Sequence, residues 1–209
     1  PNTLFELVSL AVLIRDSKNT DNVIAVNVVS DSDNRNVARS ARQGKRFLEM
    51  AAQAASGSGM TLKTVSRYSA DVATGVIHTA KEQEATTIIL GIHRKLTAAD
   101  SHSGPYSEAF LSRLHREVVM IKMLMPFNTL RRIVVAVPPK AQFEPGFSKW
   151  MNHVLKVGRT LGCQIHFHCS HETAMFVRLI VDRQGYSDKV RIEQMDSWDE
   201  FMMLSASVN

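Results

Sequence analysis

Short β-branched runs alternate with amphipathic stretches along this chain, and that rhythm limits the folds open to it. Asn22–Val29, Thr61–Arg67, Thr86–Ile92 and Val118–Met123 read as strands, with helical patterns between most of them. After Met125-Pro126-Phe127-Asn128 the rhythm restarts at Arg132–Val137. Strands alternating with helices predict parallel βαβ units and an α/β fold of doubly wound sheets. The restart divides the 209 residues into two expected units, 1–126 and 131–209. An apolar content of 44% with only 7% aromatics suits cores of Val, Ile, Leu and Met.

Thr3 followed by Glu6 has capping-box spacing, so a helix is expected from Leu4. With Leu4, Leu7, Val8, Leu10, Ala11, Val12, Leu13 and Ile14 it is apolar nearly all round and should be buried on more than one side. Val37, Ala41, Gly44, Leu48, Ala51, Ala52 and Ala55 form the stripe of a long helix that stops at Ser56-Gly57-Ser58-Gly59. Ser69 or Asp71 can cap the next helix, and 96–105 reads as a loop before a short helix around 107–115. In the second unit Pro145 is suited to a helix first turn, and Gly162 ends that helix. Cys163–Cys169, Thr173–Asp182, Lys189–Met195 and Asp196–Leu204 then read as strand, helix, strand, helix. VSRYSADVATGVIHTAK in the first half parallels RIEQMDSWDEFMMLSAS in the second, a repeat of architecture more than of residues.

The longest apolar run, Leu7–Ile14, is too short to span a bilayer, so no direct membrane insertion is expected. The net charge of +5 is modest, and its densest group is Arg35, Arg39, Arg42, Lys45 and Arg46. Their spacing marks a solvated helix face in preference to a nucleic-acid or lipid-headgroup site. Two cysteines make no disulfide framework and fit a reducing compartment. No charged leader or initiating Met is present at Pro1-Asn2-Thr3, so the chain is expected to lie inside a larger polypeptide.

The segments PNTLFELVSLAVLIRD, NVIAVNVV, TTIILGIHRK with the following Gly104-Pro105, and RIVVAVPPKAQFEPGF together resemble tandem universal-stress-protein-like domains. The resemblance extends to those forming the soluble tail of bacterial sodium/proton antiporters of the monovalent cation:proton antiporter type. It implies two adenine-nucleotide-alpha-hydrolase-like units in a non-catalytic regulatory region on the cytoplasmic side of the inner membrane. The partners it implies are the membrane-transport domain of the parent protein and either a second copy or an intrachain pairing of the two units, through the strand Val118–Met123. It also implies that unit 1 lacks its first, central strand and that unit 2 stops before its fourth and fifth. A neighbouring segment or another copy is then expected to fill the gap, because an unpaired sheet interior is costly.

Nucleotide-binding members of that family wrap phosphates with glycines that allow close backbone approach ahead of a helix N-terminus. The corresponding positions here are Gly91, Arg94 and Gly104, followed by Pro105. Arg94 stands where a second glycine is expected, and Pro105 removes a hydroxyl and a backbone donor. The expectation is a degenerate loop kept for packing, with Arg94 the one residue that could still meet an ATP or AMP phosphate. The family's adenine-side aspartate is replaced in unit 2 by Pro138. In a pH-responsive transporter His78, His93, His102, His115 and His153 would be candidate sensors.

Cys163, His166, His168, Cys169 and His171 form the one conspicuous cluster. On a strand His166 and His168 share one face, while Cys163 and Cys169 share the other with Ile165 and Phe167. Ligands on opposite faces do not close around a zinc or nickel ion, so a buried Cys/Ile/Phe face and a half-exposed His face are expected. No nucleophile elbow, full phosphate loop, zinc-protease motif or carboxylate pair is present, which argues against catalysis.

Overall fold

Residues 3–15, 23–30, 37–91, 110, 112–195 and 197 are described in the computed structural model. They fall into two units, 1–124 and 125–209. Unit 1 opens with α1 (Thr3–Ile14), whose first turn carries Glu6 at the positive end of the helix dipole. Its buried residues are Val8, Leu10 and Ile14, more than one helical stripe, as its apolar sequence predicts. Strand β1 (Val23–Ser30) pairs in parallel with β2 (Leu62–Ser69), in register from Val23 opposite Leu62 to Ser30 opposite Ser69. The crossover between them is α2 (Val37–Gly57), which buries Gly44, Leu48, Ala51 and Ala55. Arg39, Arg42, Lys45 and Arg46 point to solvent, as a solvated basic face should; Arg35 lies outside the described residues.

Next comes α3 (Val72–Glu82), capped by Asp71, whose carboxylate accepts from the Thr74 N–H at 2.8 Å. Strand β3 (Thr87–Gly91) pairs in parallel with β4 (Glu117–Ile121). Two apolar clusters hold the unit together. Val8 of α1 packs with Ala51 and Ala55 of α2, with Val23 and Ala25 of β1 alongside. Ala73, Ile77 and Ala80 of α3 pack with Ile88, Phe110 and Leu114, flanked by Leu90, Val118 and Met120. The expected 96–105 loop lies outside the described residues, and of the short helix Phe110, Ser112 and Arg113 are described and helical.

The four strands described in unit 1 do not make one ladder. They form two separate parallel pairs, β1 with β2 and β3 with β4. Among the described residues no strand joins the two pairs.

Unit 2 is a continuous three-stranded parallel sheet in the order β5 (Arg132–Ala136), β6 (Gln164–Cys169), β7 (Val190–Gln194). The helices α4 (Phe147–Leu161) and α5 (His171–Arg183) make the crossovers. Phe147, Met151 and Leu155 of α4 and Val177 and Val181 of α5 pack with Ile165, Phe167 and Cys169, alternate residues of β6. Pro145 is not in the first turn of α4. A 3-10 turn at Ala141–Phe143, entered through Lys140 at φ 67°, takes up the chain first, and Gly146 becomes the N-cap. Gly162 ends the helix at φ 70°, the left-handed conformation that glycine adopts without strain. The helix predicted from Asp196 falls on residues outside the described set, apart from Ser197.

The contact between α4 and β6 is close enough to demand glycine. A Cβ on Gly158 would overlap Ile165 Cδ1 and come within 2.9 Å of its Cγ1, in a side chain with no exposed surface. Gly158→Ala is therefore expected to cost about 1–3 kcal/mol through overpacking. Both tryptophans, Trp150 and Trp198, belong to unit 2, so denaturant unfolding followed by their fluorescence reads this loss. An unchanged midpoint would mean that the helix sits further from the sheet.

Candidate functional site

Ligands of open parallel sheets settle outside the carboxyl ends of the strands, where the crossovers switch faces. In unit 1 those ends are Ser30, Ser69, Gly91 and Ile121. Gly91 closes β3, at the place where the phosphate loop would begin, whereas Arg94, Gly104 and Pro105 lie outside the described residues. The polar groups nearby are engaged with the backbone and with one another. The Ser30 hydroxyl donates to the Ala70 carbonyl at 2.9 Å. Asp71 accepts from both the N–H and the hydroxyl of Thr74, at 2.8 and 2.7 Å, and Arg113 donates to the same hydroxyl at 3.3 Å. These hydrogen bonds, the Thr74 backbone one first, hold the Asp71 carboxyl below the usual range. A carboxylate so engaged serves as a helix cap and is poorly placed to act as a base.

At the carboxyl end of unit 2 lies a chain of hydrogen-bonded side chains. Pro138 follows buried Val137. The Ser170 hydroxyl caps α5 by accepting from Thr173 N–H, and the two hydroxyls lie 2.9 Å apart. Buried Thr173 in turn donates to Gln142 Oε1 at 2.8 Å. The Gln142 Nε2 amide is buried without a hydrogen-bond partner. No motif pointed to this Ser170–Thr173–Gln142 chain; the nearest signal was a small polar residue ahead of an apolar helical stripe.

The Cys/His cluster is arranged much as alternation predicts, with one correction. Cys163, Ile165, Phe167 and Cys169 have no exposed surface, and burial pushes both thiols up, so neither is a ready nucleophile. The correction concerns His168, expected to be half-exposed but buried at 6% exposure. It lies on the central strand, opposite Ala136 on one side and Glu193 on the other, with Nδ1 3.7 Å from the Glu193 carboxylate. His166 is only partly exposed, and its pKa is lowered by burial first and then by Arg132 and Arg191. Among the described residues no three His, Cys, Asp or Glu side chains are placed to hold a metal ion.

A hollow of about 570 Å³ is lined by Arg131, Arg132, Gly162, Gln164 and Lys189. It lies at the amino ends of β5, β6 and β7, opposite the end where such sheets take ligands. Tyr186 fastens this region from within, its hydroxyl reaching the carbonyls of Gly158 at 2.9 Å and Cys163 at 2.7 Å. Its ring lies under the Arg159 guanidinium, 5.5 Å from centroid to Cζ.

No protein-family model matches the chain, and no curated protein sequence matches it. Solved structures do. A universal stress protein from Archaeoglobus fulgidus DSM 4304 aligns with a TM-score of 0.61 at 14% identity, covering 99% of this chain and 78% of that one. A putative universal stress protein from Pseudomonas aeruginosa UCBPP-PA14 aligns at 0.53 and 13% identity, covering 83% and 74%. A protein of unknown function from Pseudomonas aeruginosa PAO1 aligns at 0.54 and 14% identity, covering 88% and 76%. The chain thus has an α/β fold with parallel sheets like that of universal stress proteins.

The lowered pKa of His166 predicts that unit 2 loses stability in acid. The unfolded chain takes up a proton at the ordinary imidazole value, and the folded one only below it. Unfolding therefore binds a proton in that window, and stability falls as pH drops from 7 toward 5. His166→Gln should flatten this slope, read as the change in denaturant midpoint between pH 7.5 and 5.5 by tryptophan fluorescence. An equal slope in the variant would place the acid sensitivity elsewhere.

Proposed function

We propose that the chain is a non-catalytic regulatory region built from two universal-stress-protein-like units in tandem, coupled in its parent protein to a cation/proton antiporter. One observation supports the non-catalytic reading most. Beyond the carboxyl ends of β2 and β6 the described polar groups are committed to structure: Asp71 and Thr74 to the start of α3, Ser170, Thr173 and the Gln142 Oε1 to the start of α5. Among the described residues there, none is poised as nucleophile and base together. The antiporter coupling rests on the sequence resemblance of the PNTLFELVSLAVLIRD opening and of the later segments. No helix among the described residues is long and apolar enough to cross a membrane, so transport itself would belong to another part of the parent. The region would bias the transporter by pairing with a second copy or by responding to a ligand or to protons, from the cytoplasmic side.

The reading frame that encodes this chain tests the coupling. Upstream of Pro1 it should encode about a dozen apolar stretches of membrane-spanning length, and a frame without them would remove the antiporter from the proposal.

The rival is a free-standing nucleotide-binding stress protein, for which Gly91 at the end of β3 is the favourable feature. Calorimetric titration of the purified chain with ATP or AMP is expected to give no heat up to millimolar ligand. Saturable heat would favour the rival and show that Arg94 and Pro105 are tolerated in a working loop.

A further inference from the structure

Helix α5 carries a second apolar stripe, on the face turned away from its own core. Its inward side is Val177 and Val181, which join the core of unit 2, with Thr173 buried beside them. On the opposite side, one turn apart, stand Met175 and Leu179, 61% and 49% exposed, with Phe176 next to them at 39%. Phe143 extends this patch: it is 66% exposed, and its ring meets that of Phe176 edge-on with centroids 6.4 Å apart. None of the four belongs to the core of unit 2. A helix that covers one face of a sheet needs a single apolar stripe, and its outer face is ordinarily polar. A contiguous apolar patch there marks a contact surface.

The two ends of the stripe carry opposite charges. Glu172 opens it in the first turn of α5, and Arg183 closes it in the last. Both are exposed, and neither forms an ion pair with another described residue. Along the helix the outer face therefore runs acid, apolar centre, base: Glu172, Met175, Phe176, Leu179, Arg183. Turned end for end, this face is its own complement. In an antiparallel pair about a two-fold axis, Glu172 lies across from Arg183 of the partner subunit, and Phe176 and Leu179 meet at the centre. The same arrangement sets the positive amino end of each helix dipole beside the negative carboxyl end of the other.

The flank of the stripe distinguishes a protein partner from a lipid surface. It carries His171, Arg178 and Asp182, all exposed and mixed in sign. Helices that lie on anionic membranes are bordered by lysine and arginine instead.

We propose that a second copy of this chain docks on α5 as a two-fold antiparallel helix pair, with Met175, Phe176 and Leu179 at its centre, Phe143 at its margins and two Glu172–Arg183 ion pairs at its ends. This surface is separate from the strand Val118–Met123 through which the resemblance implies pairing. The dimer stands whether or not the parent protein is a transporter. A single-helix patch of this length buries on the order of 1,000 Å² in total, the size of weak and reversible complexes. The pair is therefore one that forms and parts with concentration.

Sedimentation equilibrium of the 209-residue chain at low salt tests this. The chain is expected to pass from monomer to dimer between about 5 and 500 µM. Glu172→Arg and Arg183→Glu should each weaken the dimer about tenfold, because like charges then meet at both ends. Leu179→Asp, which sets charges against each other at the centre, should abolish it. Mixed in equal amounts, the two charge variants again bring opposite charges together, and the mixture should regain the original affinity to within about threefold. Recovery on mixing is a gain that a misfolded variant cannot mimic. A chain that stays monomeric throughout would overturn the proposal, as would a dimer indifferent to all three substitutions, which would place the contact elsewhere. So would charge variants that recover nothing on mixing.

Discussion

Parallel strands sandwiched between helices need partners on both edges, and the presence or absence of that second partner orders this molecule. Where it is present, as for β6, even a histidine-bearing strand is buried and its neighbours close over it. Where the described residues supply none, as for β1, a run of valines stays half-open although helices cover both faces. Apolar burial and backbone pairing are therefore not interchangeable here. The helices alone hold the half-sheets of unit 1 in one unit but do not dry the strands between them.

The same distinction bears on chemistry. In a doubly wound sheet the ligand crevice opens at the carboxyl ends of the strands, where the crossovers change face. In unit 1 the described strands leave β1 and β3 unpaired with each other near Gly91, the last residue of β3. In unit 2 the corresponding end carries exposed Pro138 and the Gln142–Thr173–Ser170 chain. Among the described residues, the side chains at both ends are spent on starting the helices α3 and α5.

Much of this architecture was legible because the strands are β-branched and the helices carry clear stripes. The predicted strands at Asn22, Thr61 and Thr86 begin one residue before the observed β1, β2 and β3, within the usual fraying of element ends. Asp71 could be read as a cap from its place ahead of an apolar stripe. Three features were not legible. Pro145 looked like a helix first turn because the preceding 3-10 turn at Ala141–Phe143 leaves no periodic signal in so few residues. His168 looked half-exposed because alternation gives a face, whereas its burial depends on Ala136 and Glu193 from distant strands. The bond of Tyr186 to the carbonyls of Gly158 and Cys163 joins segments more than twenty residues apart, beyond any local pattern. Arg94 and Gly104, read by resemblance alone, lie outside the described residues.

The break in the sheet of unit 1 is open to direct observation in solution. In the 209-residue chain, nuclear Overhauser contacts between backbone protons should connect β1 with β2 and β3 with β4 along the parallel registers, and none should connect β1 with β3. Regular cross-strand contacts between Ile24–Val29 and Ile88–Leu90 would contradict the account, because the two pairs would then form one continuous sheet.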